Sequence, residues 1–71
     1  MEFHWEKGFT IATRIENDAI VVSANAAGLR SLANHLLTLA DEEGECGHFH
    51  LDEYNSLEDN SVELIVEKLP E

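Results

Sequence analysis

Cysteine, proline and positive charge are all scarce in this chain. Cys46 is the only cysteine among 71 residues, so no disulfide staples the fold, and a lone thiol fits a reducing compartment better than a secreted scaffold. Pro70 is the only proline and ends the last expected strand. No apolar run approaches the roughly 18 residues that cross a bilayer. No basic region followed by an apolar stretch opens the chain as a signal peptide would. These absences lead us to expect a soluble, cytoplasmic protein. No glycine-rich phosphate-binding loop occurs either, and no cofactor is expected.

The shortage of cations is the strongest signal. Fifteen Asp and Glu face four Lys and Arg, a formal net charge of -11 with a pI near 4.5. A field of that sign repels phosphate backbones and anionic lipid, which excludes nucleic acid and membrane surfaces as expected partners, and it attracts basic proteins. A net charge of about 2–8 suffices to keep a small domain soluble, so the excess calls for a basic partner. The length gives one domain, residues 1–71, and a chain this short buries only about 60% of its unfolded surface.

One segment has clean helical periodicity, Ala26–Asp41. Leu29, Leu32, Ala33, Leu36, Leu39 and Ala40 recur at steps of three and four and draw an apolar stripe, with Arg30, Ser31, Asn34 and Thr38 expected to face water. Asn25 is the natural N-cap, Gly28 is expected to let the helix approach the sheet closely, and Gly44 is placed to close the helix. Strands are expected at residues 2–6, 9–15, 19–23, 47–52 and 62–69, with turns at Lys7-Gly8 and Asn17-Asp18. The predicted fold is therefore α+β, in β-β-β-α-β-β order: a small antiparallel sheet of four to five strands with one helix packed on one face. The opposite face is expected to be open. Trp5, Val21, Ile65 and Leu69 are its candidate apolar residues, and a homodimer through it is a secondary expectation.

Few residues carry the spacing of a reactive site. Alternation places His48, His50 and Asp52 on one strand face, but His48 and Asp52 stand roughly 13 Å apart along a strand, too far to share an ion. His48 and His50 alone leave a metal-binding domain as a minor alternative, and the expectation is no metal site. Cys46 with His48 or His50 is the only thiol–imidazole pairing, and the acidic turn around Cys46 should raise its pKa and weaken it as a nucleophile. The expectation is a protein that is not an enzyme.

The C-terminal half carries a resemblance. The strand Gly47-His48-x-His50-Leu51-Asp52, the loop Asn55-Ser56-Leu57-Glu58, the strand Ser61-Val62-Glu63-Leu64-Ile65 and the helix from Gly28 resemble the immunity protein 32 family of bacterial polymorphic toxin systems. The resemblance covers roughly residues 28–68 and implies a protein that neutralises a toxin by binding it. An acidic plug suits the basic cleft of a nuclease toxin in particular. The competing reading is a small homo-oligomeric structural or regulatory domain whose acidity serves solubility.

Two acidic clusters compete for the partner-facing role. Asp41, Glu42, Glu43 and Glu45 lie at the helix C-terminus, and Asp52, Glu53, Glu58 and Asp59 lie in and beside the hairpin loop, at the other end of the domain. The loop is preferred, because Asn55 adds hydrogen-bonding groups and Tyr54 and Leu57 offer apolar anchors of the kind binding hot spots need.

Overall fold

The computed structural model describes residues 2–42 and 47–70; Glu43, Gly44, Glu45 and Cys46, which entered the expectations above, lie outside them. Strands β1 (Ile11–Glu16) and β2 (Ala19–Ala24) form a hairpin. Its turn residues Asn17 and Asp18 take φ of 51° and 65°, the successive left-handed pair that matches the twist of the flanking strands and that Asn and Asp tolerate. Ile11 pairs with Ala24, Thr13 with Val22 and Ile15 with Ile20, so these six side chains share one face. After helix α1 (Ala26–Asp41), strands β3 (His48–Leu51) and β4 (Leu64–Glu67) form a second antiparallel hairpin. Phe49, Leu51, Leu64 and Val66 point inward there, and His48, His50, Ile65 and Glu67 point outward.

The two hairpins are separate two-stranded ladders, which corrects the single sheet of four to five strands. They are nonetheless stitched together along the free edge of β1. Glu58 N donates to Ile11 O at 2.8 Å and Val62 N to Thr13 O at 3.2 Å. The other two links use side chains: Thr13 N donates to Ser61 Oγ at 3.2 Å, and Thr13 Oγ1 donates to Val62 O. Hydroxyls standing in for backbone partners break the regular spacing of a ladder, and Asn60 just before them sits at φ 69°. The result is α+β as expected, with the strands divided two and two.

Residues 2–6 form no strand, a second correction. This segment lies across the helix instead. Glu6 N donates to Ser31 Oγ at 2.8 Å, and Phe3 and Trp5 press their edges on the His35 ring at 4.6 and 4.1 Å between centroids. Trp5 in turn stacks on Phe9 at 4.5 Å.

That overlay changes which side of the helix is buried. The buried line is Gly28, Ser31, His35 and Leu39, where an apolar stripe through Leu29, Leu32, Ala33 and Leu36 was expected. At 3.6 residues per turn the two lines differ by about 100° around the axis. Only Leu39 and the half-buried Leu32 serve both. Ser31 is satisfied by donating to Ala27 O at 2.9 Å while accepting from Glu6 N. Ile11, Leu39, Phe49, Leu51 and Leu57 make up the core, with Phe3, Phe9, Leu32, Leu64 and Val66 packed around it.

Both helix ends are held by distant residues. Asn25 caps the start, its Oδ1 accepting from Gly28 N at 2.7 Å. The same oxygen accepts from Thr10 N at 3.0 Å and the amide nitrogen donates to Gly8 O at 2.9 Å, so the cap also ties down the chain entering β1. No basic residue lies in the last turn of α1, yet Lys68 supplies a cation there from beyond β4, donating to Ala40 O at 3.0 Å and Glu42 O at 2.7 Å. A cation at this pole offsets the negative end of the macrodipole. Replacing Lys68 by Met should lower the unfolding free energy by about 1 kcal/mol in urea titration.

His35 is the one buried group without a partner among the described residues: its exposure is 0%, and neither ring nitrogen has a hydrogen bond. Burial therefore lowers its pKa from 6.5. A histidine held neutral by the fold contributes full stability above its unfolded pKa and loses it as pH falls from about 6.5 through the lower folded value. Thermal melts at pH 7.5 and 5.5 should thus show a drop in Tm on acidification. In the variant His35→Leu that drop should shrink.

Candidate functional site

The loop between β3 and β4 is built around Asp52 and Asn55. The Asp52 carboxylate accepts from Tyr54 N at 2.9 Å and Asn55 N at 3.0 Å. Its carbonyl accepts from Ser56 N at 3.0 Å and Leu57 N at 2.8 Å. Asn55 closes the turn from the other side, its Oδ1 accepting from Asp52 N at 3.0 Å and its amide donating to His50 O at 3.1 Å. An Asp followed at i+3 by Asn competes well with the backbone for such bonds, which is why the strand stops where it does. Further on, the Glu53 carboxylate accepts from Asn60 N at 2.9 Å, across the base of the loop.

This network sorts the seven residues that the sequence singled out. Asp52 and Asn55 shape the loop, and Glu53 both shapes it and remains exposed. Glu58 and Asp59 are exposed. Tyr54 is 90% exposed, an aromatic ring held out into water by a backbone whose hydrogen bonds are satisfied. Leu57 is corrected as a surface anchor. It lies in the core at 4% exposure, and its place is to seat the loop on Ile11 and its neighbours. The sequence signal for that was present, since Leu57 is the one apolar residue in a polar stretch of 52–61 apart from Tyr54.

The loop lies beside the start of the helix. Glu58 bonds to Ile11, and Ile11 packs at Gly28. The helix C-terminus lies at the other end, with Lys68. At that end Asp41 and Glu42 are described, and Glu43 and Glu45 are not.

His48 and His50 do share an outward face, with ring centroids 4.9 Å apart, and His50 Nδ1 lies 3.1 Å from Glu63 Oε2. Among the described residues no group of three His, Cys, Asp or Glu is placed to hold a metal ion. Asp52, expected on the same face, turns its carboxylate to the loop backbone. Of the candidates for an apolar open face, Ile65 and Leu69 are exposed, Val21 is half-buried, and Trp5 packs on Phe9 and His35 on the helix side.

An apolar surface lies where none was expected, beside the helix. Because α1 is turned toward the N-terminal segment, its Leu29, Leu32 and Leu36 wall a groove of about 370 Å³ whose floor is Val22, Leu64 and Val66. No charged residue lines it.

Fold and loop together define a small acidic α+β domain whose β3–β4 loop, closed by hydrogen bonds from Asp52 and Asn55, holds the Tyr54 ring out into water. Residues 19–69 match the family model described as Immunity protein 32, and the chain belongs to the immunity protein 32 family. The match reaches further toward the N-terminus than the resemblance in the C-terminal half, taking in β2. Immunity proteins are toxin-neutralising and generally non-catalytic. No curated protein and no solved structure matches the chain. No helix among the described residues is long and apolar enough to cross a membrane.

Proposed function

We propose that this protein binds and neutralises a basic protein toxin, a nuclease being the class whose cleft best suits it, by presenting the acidic loop of residues 52–59. The observation that carries the reading is Tyr54. A ring 90% exposed costs apolar surface in the free protein, and it stands on a loop pinned by Asp52 and Asn55 that also carries Glu53 and Glu58. An anchor flanked by charge and held in place before binding loses little entropy on association. A net charge of -11 attracts a cationic cleft at long range and repels the nucleic acid that competes for it. The chemistry asked of the protein is occlusion alone, carried out in the cytoplasm where a toxin would act.

The test is co-expression with a toxin gene found beside this one. Survival that depends on this protein, together with a complex that survives gel filtration, supports the reading. Equal killing with and without it overturns the reading.

A further inference from the structure

We infer that the groove beside α1 is a self-association surface, and that its occupant is a second copy of this chain. The inference goes beyond toxin binding and stands on different residues.

The first ground is where charge is missing. None of the fifteen Asp and Glu lies in residues 19–40, the span of β2 and nearly all of α1, and Arg30 is the one charge there. A chain of net charge -11 repels its own kind over most of its surface, and this is the face where two copies meet without bringing carboxylates together. A basic toxin is drawn elsewhere for the same reason. An isologous contact needs a patch tolerant of its own image, and a neutral apolar one qualifies.

The second ground is shape. Leu29 is 56% exposed and Leu36 is 50% exposed on the wall of the groove, so each copy offers both a ridge and a recess. Ile20, 75% exposed, continues the apolar face of β2 beyond Val22. The loop of residues 52–59 is no part of this groove, so a dimer leaves it available.

Sedimentation velocity of the full chain tests this. At about 100 µM, where a micromolar dimer is nearly complete, the mass should be twice 8.0 kDa, falling toward the monomer on dilution. Added salt should tighten the dimer, because it screens the repulsion between like-charged copies and leaves apolar contact intact. Leu36→Glu should give a monomer with an unchanged circular dichroism spectrum, since the side chain is half exposed. Ile65→Glu, on the outward face of β4, should leave the dimer as it is. A dilution series followed by amide NMR needs no variant: amides of β2 and α1 should shift, and those of the 52–59 loop should not. A monomer at about 100 µM at every salt concentration overturns the inference. So does dissociation by Ile65→Glu and not Leu36→Glu, or groove amides that shift only when toxin is added.

Discussion

Reversing Glu53 and Glu58 together to lysine should slow association with the toxin by about 10- to 100-fold at low salt, and flatten its dependence on ionic strength. Stopped-flow mixing across a salt series measures both. Steering acts on the rate of encounter, so the change belongs in the association rate, with dissociation less affected. Glu53 has a second role, because its carboxylate accepts from Asn60 N at 2.9 Å. The variant Glu53→Gln keeps an acceptor there while removing charge, and separates loss of field from loss of loop shape. Reversing Glu42 and Glu43 at the helix end should do much less. Equal effects from the two pairs would mean that the field of the whole protein captures the toxin and no loop is special. A larger effect at the helix end would place the contact at the opposite end of the domain.

The second large effect is on folding. Gly28→Val should leave little folded protein at 25 °C, by circular dichroism or by a urea transition lost from its native baseline. A β-carbon at Gly28 would overlap the Thr10 carbonyl oxygen and stand 3.0 Å from Ala24 Cβ and Ile11 Cγ1. Two of those neighbours belong to the β1–β2 hairpin, and the first is backbone that cannot swing aside. The helix would have to lift from β1, taking with it the Gly28 N–H that Asn25 caps and the contact with Ile11, which is fully buried. Overpacking of this kind costs about 1–3 kcal/mol or more, a large part of what a 71-residue domain has. Gly28→Ala meets the same carbonyl and should be damaging too, despite the helix propensity it adds.

Local chemistry is legible in the residues themselves. The Asn17-Asp18 turn, the Asn25 cap, the bounds of Ala26–Asp41 and the close approach at Gly28 all follow from what single residues permit their own backbone. The inward and outward sides of β3 and β4 are legible as well, since alternation there separates Phe49 and Leu51 from His48 and His50. Residues 2–6 mislead because Phe3 and Trp5 alternate as a strand does. Alternation cannot distinguish aromatic rings laid on a sheet partner from rings laid on a helix.

Within the candidate site, the sequence marks where the loop lies and misjudges the burial of one member. Leu57 and Tyr54 are both apolar residues in a polar stretch. Only the bonds from Asp52 and Asn55 to the backbone decide that Leu57 turns in and Tyr54 turns out. The groove beside α1 is misread for a related reason. A leucine stripe on a helix says that apolar surface exists there, and says nothing of what covers it.

The order of residues alone was therefore enough for the helix and its start, the two hairpins, the sign and size of the charge, and the family. These depend on neighbours a few residues apart or on composition, and near-neighbour physics is written directly in the chain. Long-range packing set which side of the helix is buried, how β1 meets the segment 58–62, and where Lys68 finds its carbonyls. Each of these joins residues 25 or more positions apart, as Glu6 with Ser31 and Thr13 with Val62 do. Competition between such distant partners is settled by shape and burial over the whole molecule, so the N-terminal segment could claim Ser31 and His35 and leave Leu29 and Leu36 facing water.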